Sequence, residues 1–278
     1  MKKIGLIGLG NIGSFYADKL LEAGYPLTVL DVDNDKLKAV VDKGAKAAAG
    51  AAELTEASEI IILSLPNSEI VEYVMTSSNG ILSVLKEGQL VIDTSTCLPK
   101  TAVLLEKLCA EKKAGFVDSP LTRRGQGQIL MVGGTQESFD MAEEVLDCIS
   151  YKYKLVGPCG SGQYLKMINQ AIMANCLAAH AEAVELAKHC GLDPKLLKDH
   201  LDFDIHDALY TEEYEGGSNL AIHYKDLGYL NDIAHDLCVN IPISALVHEI
   251  FKTTKIYGDP SWIQAGIQTY YHRLNSDK

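Results

Sequence analysis

The chain has 278 residues, 47% hydrophobic and 22% charged, a composition that can bury a core and excludes disorder. Lys plus Arg number 25 against 37 Asp plus Glu, a formal charge of -12. A field of that sign repels phosphate backbones and anionic lipid, which excludes nucleic acid and membrane surfaces as general partners.

In chain order, Lys3–Ile7 reads as a strand, Ile12–Ala23 as a helix, Pro26–Leu30 as a strand and Asn34–Lys43 as a helix. Ile60–Leu65 and Leu90–Asp93 are apolar runs ended by polar or turn residues and read as strands; Phe116–Asp118 and Ile129–Gly133 follow with weaker patterns. This βαβα alternation predicts an α/β domain, a doubly wound parallel sheet with helices on both faces. The breaker cluster Gly157-Pro158-Cys159-Gly160-Ser161-Gly162 then changes the character of the chain. From Gln163 to about His189 one long helix is expected. Ile168, Ile172, Met173, Cys176, Leu177, Ala181, Val184 and Leu186 make it apolar nearly all round, which predicts burial on most sides. Further helices, broken at Gly191, Gly216-Gly217 and Gly258-Asp259-Pro260, complete the chain. The division falls near residue 160, giving a dinucleotide-binding domain over 1–160 and an all-α domain over 161–278 for substrate binding and dimerisation, with the long helix between them.

The apolar run after Lys3 is broken too soon by glycine for a secretory signal, and no stretch approaches the roughly 20 apolar residues of a membrane span. The seven cysteines are odd in number, scattered and never in a CxxC pair. They read as reduced thiols in a cytoplasmic protein, without disulfides and without a zinc site. No HExxH occurs, and the run Asp202–Asp207 reads as a solvated loop or helix cap; no metal is expected.

Gly8-Leu9-Gly10-Asn11-Ile12-Gly13 follows a strand and opens a helix. Asp31 lies 18 residues after Gly13, at the end of the second strand. The first glycine allows a tight turn, the second lets backbone approach a pyrophosphate, and the third lets helix and strand pack closely. The helix N–H groups of Asn11, Ile12 and Gly13 then face anionic phosphates. A carboxylate at Asp31 accepts ribose hydroxyls and repels a 2'-phosphate, and no Arg follows it in Val32-Asp33-Asn34-Asp35. NAD is therefore expected in preference to NADP. The alternative for Asp31 is a helix-capping or turn acid.

Further motifs fall in order: Leu63-Ser64-Leu65-Pro66-Asn67, Asp93-Thr94-Ser95-Thr96 with Pro99, Asp118-Ser119-Pro120, Met131-Val132-Gly133-Gly134, Gly160-Ser161-Gly162 with Lys166, and Lys225-Asp226-Leu227. With the N-terminal glycines, this set resembles the β-hydroxyacid dehydrogenase family, which includes 3-hydroxyisobutyrate dehydrogenase and the distant 6-phosphogluconate dehydrogenase. The resemblance implies a Rossmann domain joined to a helical domain, a nicotinamide cofactor, and lysine-assisted oxidation of an alcohol or reduction of a carbonyl. It implies that Leu65 and Pro66 line the adenosine side of the cofactor, that Thr96 lies close to the nicotinamide, and that Lys225 reaches the cofactor. An ion pair with a neighbouring acid is the alternative for Lys225.

Lys166 matches the family's catalytic lysine, which exchanges the proton of the substrate oxygen. The alternative is a lysine snorkelling to solvent. Two departures from the family pattern bear on substrate. Gln170 stands where the family usually has Asn, keeping an amide for substrate one methylene farther out; Asn169 before it is expected to hold local structure. Leu121-Thr122-Arg123-Arg124 replaces a Ser-Gly-Gly loop. Thr122 keeps a hydroxyl for substrate, and an arginine fork suits an anion. Arg123, nearer Thr122, is favoured as the clamp, with Arg124 the alternative. A small anionic β-hydroxy acid, or its aldehyde or keto partner, is the expected substrate, in a homodimer or homotetramer. Imine reduction, or a dinucleotide sensor without turnover, are the competing readings.

Overall fold

The strands Ile4–Ile7, Ile60–Leu63 and Leu90–Asp93 of the first unit are buried at every position, because each is covered on both faces. The computed structural model describes residues 1–124, 127–217 and 219–276, with the Arg124 side chain outside that description. They form two compact units, Met1–Lys166 and Met167–Lys278.

The first unit contains strands β1 (Ile4–Ile7), β2 (Leu27–Leu30), β3 (Lys46–Ala47), β4 (Ile60–Leu63), β5 (Leu90–Asp93), β6 (Gly115–Asp118), β7 (Leu121–Arg124), β8 (Gly127–Gly134) and β9 (Lys152–Gly157). Helices α1 (Asn11–Glu22), α2 (Asn34–Val41), α3 (Ala51–Glu56), α4 (Ser68–Thr76), α5 (Ile81–Val84), α6 (Pro99–Glu111) and α7 (Gln136–Ile149) lie between them. The sheet order is β3-β2-β1-β4-β5-β6-β8-β7, with β9 beside β8. Successive residues of a strand point to opposite faces. Ile60 and Ile62 accordingly pack with Tyr16 and Leu20 of α1 in one core cluster, while Ile61 and Leu63 pack with Leu54, Val71 and Leu105 in another. This is a Rossmann-type doubly wound sheet, and the order reverses between β1 and β4, where such sheets bind ligands.

Three features depart from the expected sheet. β8 pairs antiparallel with both β6 and β7. Only two residues separate β6 from β7 and β7 from β8, too few for the crossover that a parallel neighbour requires. The segment Leu121–Arg124, expected as a loop, is strand β7. β9, unanticipated because its breaker-rich surroundings mask a short alternating pattern, runs parallel to β8.

The helical unit consists of the greater part of α8 (Ser161–His189), then α9 (Leu196–Asp199), α10 (Ala208–Thr211), α11 (Asn219–Asp236), α12 (Pro242–Tyr257), a 3-10 turn (Gln264–Ile267) and α13 (Gln268–Asn275). α11 is pinned to α12 by stacking of His223 on Phe251 and of Tyr224 on His248. The expectation that α8 is buried on most sides is corrected. Met167, Gln170, Ala174, Ala178, Ala181 and Val184 are buried, while Ile168, Ile172 and Leu186 are 54%, 59% and 64% exposed. The buried positions recur at helical spacing and half of those named are alanine, so a narrow seam carries the packing. No helix among the described residues is long and apolar enough to cross a membrane.

Candidate active site

Gly8 at the C-terminal end of β1 has φ +96, and a Cβ there would lie 2.2 Å from the Ser64 carbonyl oxygen. A Cβ on Gly13 would lie 1.8 Å from the Gly8 carbonyl oxygen. These two glycines are required by the protein itself. At Gly10 nothing lies within 4 Å of the Cβ position, so that space is left for something else. α1 starts just after it with no side-chain cap and no acidic residue in its first turn. The N–H groups of exposed Asn11 and half-buried Ile12 therefore meet an open, electropositive helix end. The group fits a dinucleotide pyrophosphate.

Asp31, at the end of β2, accepts hydrogen bonds from Leu9 N (2.5 Å) and Asp33 N (2.8 Å). The turn-acid alternative for this residue is present. It is a turn acid that braces the glycine loop, and its carboxylate sits beside the loop that would hold the cofactor. Val32 beyond it is fully exposed, and Lys36 is paired with Asp33 at 3.2 Å.

On the β4–β5 side, Leu65 is half-buried and Pro66 exposed. The Leu65 N–H donates to Ser95 Oγ at 2.9 Å, and Thr94 Oγ1 donates to the Leu63 carbonyl at 2.6 Å. These bonds fix the segment after β5, which carries half-buried Thr96.

Two fully buried carboxylates, Asp93 and Asp118, end neighbouring strands in register. Asp93 accepts from Ser95 N at 2.9 Å, and burial, with the Asp118 charge adding to it, pushes its pKa up to about 6. Asp118 accepts from Gly160 N (2.6 Å) and Gln163 N (2.9 Å), so it caps the start of α8. Its pKa too is raised by burial, against the lowering effect of those N–H bonds. A Cβ on Gly162 would lie 2.2 Å from the Met131 carbonyl and 2.7 Å from Asp118 Oδ2. That close approach explains the glycine and brings the first turn of α8 against the sheet. Lys166 follows one turn later and is 8% exposed, so little of its side chain reaches solvent.

In β7, Thr122 is half-buried and pairs with Ile129, whereas Arg123 is exposed and pairs with Gln128. Neighbours in a strand project to opposite faces, so closeness in sequence does not bring Arg123 to the Thr122 hydroxyl. Arg123 forms no ion pair among the described residues. The alternative, Arg124, has its side chain outside the described residues.

In the helical unit, Gln170 is 3% exposed and donates through Nε2 to Asp226 Oδ2 at 2.7 Å. Asn169 Nδ2 donates to Gln170 Oε1 at 3.2 Å, the local structural part expected of it. Asp226 also faces Lys225 Nζ at 3.3 Å, and that amine sits 5.1 Å from the Tyr229 ring centroid. The ion-pair alternative for Lys225 is therefore present. Asp118, Gln163 and Asp226 were not singled out from the sequence. Asp118 and Asp226 lie inside quoted motifs, beside residues that drew the attention; nothing local marks Gln163. Burial raises the thiol pKa of Cys159, in keeping with an inert thiol. Among the described residues no group of His, Cys, Asp and Glu could hold a metal ion.

The family model for the NAD binding domain of 6-phosphogluconate dehydrogenase matches residues 3–157. The model for the NAD-binding domain of NADP-dependent 3-hydroxyisobutyrate dehydrogenase matches residues 160–267. Mitochondrial 3-hydroxyisobutyrate dehydrogenase of Mus musculus is 33% identical, over 90% of this chain and 81% of its own length. The chain belongs to the 3-hydroxyisobutyrate dehydrogenase-like β-hydroxyacid dehydrogenase family. Another relative in this family, 2-(hydroxymethyl)glutarate dehydrogenase of Eubacterium barkeri, is 30% identical over 92% of this chain and 90% of its own. The same fold is seen in Mycobacterium tuberculosis 3-hydroxyisobutyrate dehydrogenase solved with L-serine, at TM-score 0.87 and 23% identity, covering 99% of both chains.

Proposed function

We propose that the protein transfers a hydride between NAD(H) and a small anionic β-hydroxy acid or its aldehyde or keto partner, with Lys166 as general acid/base. The observation that carries this is the burial of Lys166 in the turn that follows the Asp118 cap. A mobile surface lysine would be of little use for positioned proton transfer. In oxidation the Lys166 amine takes the hydroxyl proton; in reduction the ammonium returns it to the developing alkoxide. NAD, when bound, supplies the hydride acceptor. Gly8, Gly10, Asn11, Ile12, Gly13, Leu65, Pro66, Thr96 and Lys225 are assigned to cofactor, and Thr122, Arg123 and Gln170 to substrate.

NAD is favoured over NADP because the Asp31 carboxylate opposes a 2'-phosphate and the nearby Lys36 is already paired with Asp33. The NADP-dependent relatives named by the second family model make a direct comparison of the two cofactors part of the test. Exposed Ile168, Ile172 and Leu186 on α8 support a homo-oligomer, and free cysteines suit the cytoplasm.

The test is NADH absorbance with a panel of 3-hydroxyisobutyrate, 2-(hydroxymethyl)glutarate and L-serine. Wild type should turn over at least one of them, and Lys166→Met should lower kcat by about 10²–10⁴-fold, the range for a lost general acid/base. Equal turnover by both proteins would remove the lysine mechanism. Reduction of a cyclic imine with no hydroxy-acid activity would replace the reaction, and NADH binding without any turnover would make the protein a sensor.

A further inference from the structure

We propose that Gln163 is a positioning residue for this chemistry: its carboxamide locks the Ser95–Cys97 segment, which carries Thr96, to the first turn of the helix that carries Lys166. The inference rests on the reading of Lys166 above. Gln163 is 0% exposed. Its Nε2 donates to the Ser95 carbonyl at 2.9 Å, and its Oε1 accepts from Cys97 N at 3.0 Å. Both ends of one amide are thus spent on the backbone groups that flank Thr96. The backbone N–H of the same residue donates to Asp118 Oδ2 at 2.9 Å, which holds Gln163 against the end of β6 as well.

Residues i and i+3 share a helix face, so Gln163 and Lys166 project to the same side of α8. An anchor at Gln163 therefore sets the direction in which Lys166 points relative to Thr96. A plain helix anchor would need one hydrogen bond to any part of the sheet. This side chain instead forms a two-point clamp on a three-residue segment, and its amide supplies both the donor and the acceptor in that geometry. A misplacement of about 1 Å in a reacting group lowers rates by about 10²-fold.

The test compares wild type, Gln163→Ala, Gln163→Glu and Lys166→Met. It uses 3-hydroxyisobutyrate, or whichever panel member is turned over faster, with NADH affinity followed by fluorescence and folding by thermal melt. Gln163→Ala should lower kcat by about 10–100-fold while KM and the NADH Kd stay within about threefold, as expected when orientation rather than binding is lost. Gln163→Glu tests the donor separately. The new carboxyl is buried next to Asp118 of β6, which the backbone N–H of residue 163 touches; Asp118 in turn interacts with Asp93 of β5, the Cys159 thiol and Glu106 of α6, the Cys97 thiol bonds Asp93, and Lys166 lies on the same helix. Burial and the surrounding acids favour its protonated form, which donates to Ser95 O while accepting from Cys97 N. Its kcat relative to wild type should climb as pH falls from 9 to 6, whereas the ratio for Gln163→Ala stays level. Wild-type kcat in a folded Gln163→Ala would overturn the proposal. Should Gln163→Ala not fold, a level ratio for Gln163→Glu across that pH range would overturn it. Full activity in Lys166→Met would sink the catalytic reading instead, so the two failures are told apart.

Discussion

Replacing Gly10 and Gly13 by alanine, one at a time, separates a glycine kept for a ligand from a glycine kept for the fold. At Gly13 the added methyl would fall 1.8 Å from the Gly8 carbonyl oxygen and 2.8 Å from its carbon. Both are backbone atoms of the turn at the end of β1, so β1 and α1 must part. Overpacking of this kind costs about 1–3 kcal/mol. For a chain of this size, a loss of 2 kcal/mol lowers Tm by about 4–8 °C. At Gly10 the methyl meets nothing within 4 Å, and φ -64, ψ -171 is open to any residue. Stability should stay within about 0.5 kcal/mol, as for substitutions that touch nothing. The methyl would nevertheless occupy the approach to the α1 N–H groups, so NADH Kd should rise by about tenfold or more, or 1.4 kcal/mol. Thermal melts and NADH fluorescence titration on both variants provide the comparison. Wild-type NADH affinity in Gly10→Ala, or a wild-type melt in Gly13→Ala, would refute the division of roles.

Asp93 has its pKa raised from 3.8 to about 6 by burial, so its contribution to stability is fully present below the unfolded value and is lost as pH rises through about 6. Asp93→Asn should therefore gain on wild type by about 2 kcal/mol between pH 4 and pH 7.5 in urea melts; a pH-independent difference would contradict the linkage. Asp31→Ser should lower the NAD-to-NADP ratio of kcat/KM by about tenfold or more, equivalent to 1.4 kcal/mol. It should also lower Tm, because the Leu9 and Asp33 N–H groups lose their acceptor; an unchanged cofactor ratio would exclude Asp31 from cofactor choice. Arg123→Gln should raise KM for an anionic hydroxy acid by about 10–100-fold, the equivalent of a charge-assisted hydrogen bond, with NADH affinity constant. If KM does not move, Arg123 lies outside the substrate site.

Strands β1, β2, β4 and β5 were legible because each is a short, largely apolar run with turn residues behind it, and α8 because apolar residues recur along it with no glycine or proline break from Gln163 to His189. Strand β7 was not, since Leu121-Thr122-Arg123-Arg124 has no alternating pattern and takes strand form only through its pairing with β8. The exposed side of α8 was likewise hidden: Ile168 and Ile172 look like core residues until Ala174, Ala178 and Ala181 are seen to carry the packing. Gln170, chosen for substrate, was found donating to Asp226, 56 positions away.

What the chain determined by itself is local chemistry. The order strand, GxGxxG, helix, Asp31 specifies a turn suited to phosphate, because Gly8 and Gly13 meet steric limits while Gly10 leaves the helix end open, and the spacing of motifs identifies the family. What only tertiary structure decided is the company each catalytic candidate keeps. The Asp118 cap spans 45 positions and the clamp of Gln163 on Ser95 spans 68. The parallel register of β5 and β6 brings Asp93 and Asp118 side by side at the strand ends, where the start of α8 supplies N–H partners for Asp118. No periodicity in the chain encodes that meeting, because hydrogen bonds depend on distance in space and are indifferent to distance in sequence.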